Sequence, residues 1–102
     1  MTINTEWLRG AATALVTPFK DSGEIDDDRL RALIEYQIAG GIRLLVPCGT
    51  TGESATMTEQ EDQRVIRITV ETAKGRARVI AGTGSNATSS AIEWSLAARD
   101  LG

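Results

Sequence analysis

The seven residues from Ile42 to Cys48, Ile-Arg-Leu-Leu-Val-Pro-Cys, leave few folds open to this chain. The run is too short for a helix of its own and nearly all apolar. That is the pattern of a strand covered on both faces, and so of a parallel sheet. Parallel neighbours are joined by crossovers rather than hairpins, so the segments on either side should be helical.

They are punctuated as helices. Asp26 is suited to cap one, with Asp27 and Asp28 placing negative charge at the positive end of the dipole. Ile25 before the cap and Leu30 within the helix have the spacing of a hydrophobic staple. Leu30, Leu33, Ile34 and Ile38 share one face, and Gly40-Gly41 stops the helix. Thr58-Glu59-Gln60-Glu61 is a capping box for a second helix, whose inward face is Val65, Ile66, Thr69 and Ala73 and whose end is Gly75. Thr88 or Ser89 is the expected cap of a third, in which Ile92, Ser95, Leu96 and Arg99 share a side and Gly102 follows the last turn. Two further strands are predicted at Ala11–Val16, ahead of Thr17-Pro18, and at Arg78–Ala81. Strand starts at Ala11, Ile42 and Arg78 are roughly 31 and 36 residues apart, a spacing suited to repeated right-handed βα units. The fold class is therefore α/β, a (βα)3 segment over residues 1–102 with a polar lead at 1–9. It is either half of a doubly wound domain or the first three units of a (β/α)8 barrel. The last helix ends where another strand would follow. The expectation is that the segment is the N-terminal part of a single longer barrel domain.

Composition narrows the chemistry. With 11 basic and 14 acidic residues and a net charge of −3, the chain offers no basic stripe for nucleic acid. It has no histidine, which removes Ser-His-Asp and Cys-His pairs and His-ligated zinc. A single cysteine, Cys48, excludes an internal disulfide and a CxxC site, and its apolar context favours a buried thiol. No apolar run reaches the roughly 18 residues of a spanning helix. Met1–Glu6 has neither the basic nor the apolar part of a signal peptide. A cytoplasmic protein without metal, cofactor or membrane contact is expected.

In open sheets and barrels alike, ligands sit beyond the carboxyl ends of the strands. Here those ends are Thr17-Pro18-Phe19, Gly49-Thr50-Thr51-Gly52-Glu53-Ser54 and Gly82-Thr83-Gly84-Ser85-Asn86. In the second, Gly49 and Gly52 allow a tight turn with converging N–H groups, and Thr50 and Thr51 add two hydroxyls. Such a nest suits a small carboxylate or a single phosphate. The alternative is that the glycines shape the turn and the threonines satisfy its backbone. Gly82 to Ala87 satisfies G-x-G-x-x-A literally, but the acidic residue that completes a dinucleotide site would lie beyond Gly102. Lys20 in a polar turn and Lys74 at a helix end are the only lysines, and neither sits in the apolar pocket a Schiff-base lysine needs.

Together the loops resemble the dihydrodipicolinate synthase / N-acetylneuraminate lyase family of pyruvate-dependent class I aldolases. The matching stretches are Ala14–Phe19, Gly49–Thr56 and Val79–Asn86, in family order from about residue 9 onward. Two threonines between the glycines resemble the dihydrodipicolinate synthase branch. The resemblance implies a TIM barrel, and a homo-oligomer (tetramer or dimer) for the full-length member. It implies that pyruvate is bound as a Schiff base on a sixth-strand lysine and condenses with aspartate semialdehyde in lysine biosynthesis. By motif position, Thr50 matches a proton-relay threonine, and Thr51 the residue holding the pyruvate carboxylate, with Gly49 and Gly52 beside them. Ser54, Ala55 and Asn86 match positions of a feedback-lysine site in sensitive members. Glu59, Asp62 and Ser90 depart from the groups those members carry, which weighs against lysine inhibition. The Schiff-base lysine and both relay tyrosines fall beyond residue 102 in the family, so the chain alone is expected to be inactive. Rival expectations are a sugar-acid aldolase or dehydratase of the same superfamily, a non-catalytic fragment that oligomerises through open strand edges, and a nucleotide-binding half domain using Gly82 to Ala87.

Overall fold

The computed structural model describes residues 2–102; Met1 of the polar lead lies outside them. The elements alternate as the sequence requires. They are β1 (Ala12–Ala14), α1 (Asp27–Ala39), β2 (Leu44–Val46), a 3-10 turn (Ser54–Thr56), α2 (Glu59–Ala73), β3 (Arg78–Val79) and α3 (Thr88–Asp100). The strands form one parallel sheet in the order β1-β2-β3, with Ala12 opposite Leu44 and Leu44 opposite Arg78.

The regular strands are shorter than the apolar runs that predicted them, because pairing thins to single bonds towards their carboxyl ends. The Leu15 N–H donates to the Val46 carbonyl at 3.0 Å, Ile80 N–H to Leu45 at 2.9 Å and Gly82 N–H to Pro47 at 2.9 Å. These bonds carry the three chains side by side to the point where the loops begin.

Both predicted faces of β2 are covered, Leu44 and Leu45 being 4% and 0% exposed. Register partners point to the same side of a sheet. Thr13, Leu45 and Val79 therefore face one way, and Leu45 and Val79 join the core there with Leu30, Ile34 and Val65. On the other side Ala12, Ala14 and Val16 stand exposed. Arg78, register partner of Leu44, sits 5.7 Å over the Trp7 ring of the lead.

The caps of the first two helices follow the sequence. Asp26 accepts from the Arg29 N–H, and Leu30 and Ile34 are fully buried with Ile25 beside them in the core. At the other end the Gly41 N–H reaches Ile38 and the Ile42 N–H reaches Gln37, the paired bonds of a Schellman stop with Gly41 at φ +101°. The Thr58 capping box is complete, and Val65, Ile66, Thr69 and Ala73 are all buried, together with Ile68. The α2 stop differs by one residue, since Lys74 takes the left-handed turn ahead of Gly75. Arg64 bonds Asp27 at 2.6 Å and Arg76 bonds Glu35 through two contacts, tying α2 to α1 at the surface.

The third helix departs from expectation. It already includes Thr88, Ala87 stands at its N-cap, and no side chain caps it. Ile92 and Leu96, on the expected apolar side, are 56% and 47% exposed. The helix instead packs through Ala98, with Leu101 at its C-cap also against the core. Helical spacing identifies a shared face, but which face meets the sheet is decided by the angle at which the chain leaves β3.

Candidate functional site

The loops after β2 and β3 enclose a cleft of about 590 Å³ at the carboxyl end of the sheet. Gly49, Thr50, Ser54, Ala55 and Asn86, all singled out from the sequence, line it together. Thr51 and Gly52 are not on its wall: Thr51 is exposed and Gly52 is buried beneath the turn. Cys48, Asp62, Gly84 and Ser85, also named from the sequence, line it too, as do Met57 and Trp94, which the sequence did not mark. Trp94 lies nearly two turns into α3, away from any loop motif, so only the packing of α3 reveals it.

The turn itself is closed by Gly52 N–H to the Gly49 carbonyl at 3.1 Å and Glu53 N–H to Thr50 at 3.0 Å. Among the described residues, the N–H groups of Gly49, Thr50 and Thr51 have no acceptor in the protein. No lysine or arginine lines the cleft. Three free N–H groups in succession and two hydroxyls form an uncharged set of donors for an anion's oxygens.

Gly52 and Gly82 act through space rather than through unusual backbone angles, while a Cβ on Gly49 would meet nothing within 4 Å. The left-handed positions are Cys48 (φ 59°) and Glu53 (φ 62°), flanking the turn, whereas neither Gly49 nor Gly52 has positive φ. A Cβ on Gly52 would stand 3.1 Å from both the Cys48 nitrogen and the Leu15 carbonyl oxygen. A Cβ on Gly82 would lie 2.1 Å from the Cys48 carbonyl oxygen and 2.8 Å from the Gly49 nitrogen. The root of the turn is thus wedged between β1 on one side and β3 on the other. Gly82, the first glycine of the G-x-G-x-x-A match, is needed for this contact with the protein's own backbone.

Behind the turn, Cys48 is 3% exposed, and its thiol donates to the Asp62 main-chain carbonyl at 3.4 Å. Burial, and then the neighbouring Asp62 charge, push its pKa far above the ordinary thiol value, so it stays protonated. The Ser54 hydroxyl donates to Asp62 Oδ2 at 3.0 Å, while Asp62 Oδ1 is buried without a partner. Burial raises the Asp62 pKa above the ordinary carboxylate value, and the Ser54 bond only partly offsets this. Because the folded protein holds that proton more tightly than the unfolded chain, ionising Asp62 opposes folding. Its cost is absent below the ordinary carboxylate pKa and grows as pH rises through the raised one. Asp62→Asn should therefore unfold at higher urea concentration than the parent at pH 7, with the gap narrowing towards pH 4. A gap that widens on acidification would contradict this assignment.

Parallel βα units with a ligand-sized cleft beyond the strands' carboxyl ends are the plan of the α/β enzymes, open and barrel alike. Residues 7–102 match the sequence model of the Dihydrodipicolinate synthetase family, and the chain belongs to that family. Two relatives named 4-hydroxy-tetrahydrodipicolinate synthase, from Maridesulfovibrio salexigens and Nitratidesulfovibrio vulgaris (strain Miyazaki F), are 63% and 60% identical over 95 residues. The match covers 93% of this chain and 32% of each relative, so the chain spans about a third of their length. Among solved structures, the chloride-inhibited dihydrodipicolinate synthase from Acinetobacter baumannii, complexed with pyruvate, superposes with a TM-score of 0.89 at 42% identity. That match covers 91% of this chain and 32% of the other. The three units are accordingly a (βα)3 segment of the TIM-barrel fold. No helix among the described residues is long and apolar enough to cross a membrane.

Proposed function

We propose that this segment provides the first three βα units of a pyruvate-dependent class I aldolase that condenses pyruvate with aspartate semialdehyde in lysine biosynthesis. The observation that carries the reading is the uncharged donor set at Gly49-Thr50-Thr51, which begins on the cleft wall at Gly49 and Thr50 and is suited to a 2-oxo acid's carboxylate. Thr51 holds that carboxylate, Thr50 passes protons through its hydroxyl, Gly49 lines the cleft beside them, and Gly52 lets the turn sit close to the sheet. The lysine that forms the Schiff base belongs to a later strand of the complete barrel. The 102-residue chain alone therefore binds without catalysing. Ser54, Ala55 and Asn86 form part of an effector position on the same cleft, and the complete protein works as a cytoplasmic homo-oligomer.

The test joins residues 7–102 to the remaining two thirds of the Acinetobacter baumannii synthase. Incubation with pyruvate and borohydride should add one reduced pyruvate to the intact mass. Hydrogen bonds to charged groups are worth about 1.5–3 kcal/mol, on the order of a 10- to 100-fold effect. Thr51→Val should raise the KM for pyruvate by that order, and Thr50→Val should lower kcat with KM little changed. A joined enzyme indifferent to both substitutions would sink the reading. Activity on a sugar acid, with none on aspartate semialdehyde, would move it to another member of the superfamily.

A further inference from the structure

We infer that Thr17 is a positioning residue for the Gly49–Gly52 turn; the inference rests on the proposed role of that turn in holding pyruvate. Thr17 and Thr69 are the two buried polar residues among those described, 5% and 0% exposed. Their hydroxyls are used differently. Thr69 bonds the Val65 carbonyl one helical turn back at 2.8 Å, a local contact within α2. Thr17 reaches across 35 residues to donate to the Gly52 carbonyl at 2.7 Å.

The Gly52 carbonyl shares its peptide unit with the Glu53 N–H, which closes the turn on the Thr50 carbonyl at 3.0 Å, so fixing that peptide fixes the backbone that carries Thr50 and Thr51. The Gly52 Cα is confined as well, since a Cβ there would meet the Leu15 carbonyl and the Cys48 nitrogen at 3.1 Å. Backbone spacing sets how close the turn comes to the end of β1. The Thr17 hydroxyl, as the directional contact, sets its rotation. Pro18 limits Thr17 to extended backbone, so the hydroxyl is offered at a constrained angle. Replacing the hydroxyl by a methyl group of the same shape leaves the Gly52 carbonyl unpaired in a buried place, and the turn is free to rotate it towards water.

The experiment uses the joined enzyme of the preceding test, labelled with nitrogen-15 and titrated with pyruvate while the amide signals of Gly49, Thr50 and Thr51 are followed. Thr17→Val should weaken the pyruvate response by about tenfold or more, and Thr17→Ser should restore it to within about threefold. Thr13→Val is the control. It removes a β1 hydroxyl that bonds Gln37 at 2.8 Å, away from the turn, and should leave the response unchanged. An undiminished response in Thr17→Val, or equal losses in the Val and Ser variants, would overturn the inference. If the joined enzyme with Thr17 intact shows no pyruvate response, the substrate reading fails, and Thr17 is judged on amide exchange at Gly52 and Glu53. Protection lost in the Val variant and kept in the Ser variant upholds it; protection unchanged in both overturns it.

Discussion

Gly82→Ala is expected to be among the most damaging single-methyl additions in this protein, costing about 3 kcal/mol or more. The added Cβ would stand 2.1 Å from the Cys48 carbonyl oxygen and 2.5 Å from its carbon. Both are backbone atoms, which cannot turn aside as the end of a flexible side chain can. The Gly82 N–H meanwhile donates to Pro47 at 2.9 Å, so moving β3 away stretches the last bond that joins it to β2. Two residues on, a Cβ at Gly84 meets nothing within 4 Å. Gly84→Ala should therefore fall within about 0.5 kcal/mol of the parent, as exposed substitutions without special features do. Urea unfolding of the two variants, followed by far-ultraviolet circular dichroism, makes the comparison. If both glycines tolerate alanine equally, the close approach of β3 to the root of the turn does not exist in solution. The pair also separates two explanations of one motif, since a glycine kept only for a bound phosphate would accept a methyl group in the empty protein.

Leu45→Ala is the second large expectation, at about 3–5 kcal/mol, near the top of the range for truncating a buried leucine. Leu45 is 0% exposed on the middle strand, and it packs in the core with Leu30, Ile34 and Val65. The cavity left there would be walled by a sheet on one side and two helices on the other, which limits how far it can collapse. Leu96→Ala supplies the contrast. At 47% exposed on α3 it should cost less than about 0.5 kcal/mol, because alanine is at least as favourable in a helix and little burial is lost. Thermal unfolding should show Leu45→Ala lowered by well over 10 °C, at about 4–8 °C per kcal/mol for a domain of this size. Comparable losses at both positions would mean that α3 lies on the sheet through Ile92 and Leu96 after all.

Much of the candidate site could be read from the chain because its parts are local. A turn, its glycines and its hydroxyls lie within Gly49–Ser54, directly after an apolar run that can only be a strand in a parallel sheet. The meeting of Gly49, Thr50, Ser54, Ala55 and Asn86 in one cleft follows once β2 and β3 are neighbours. Trp94 was not legible, since its place on the wall depends on how α3 is rotated. Thr17 was visible only as the residue that stops a strand. Its hydroxyl finds Gly52 because the β1 and β2 backbones run side by side to their ends.

Sequence alone determined the order of the elements, the caps of α1 and α2, the double cover of β2 and the family. Each rests on residue spacing or on groups that meet within a few positions of one another. Tertiary structure decided which side of α3 is buried, that Gly52 and Gly82 are required by close backbone approach rather than by positive φ, and that Asp62 and Cys48 are held in an unusual protonation balance. Those properties arise where segments distant in the chain come within 3 or 4 Å, and no local pattern of residues encodes such a distance.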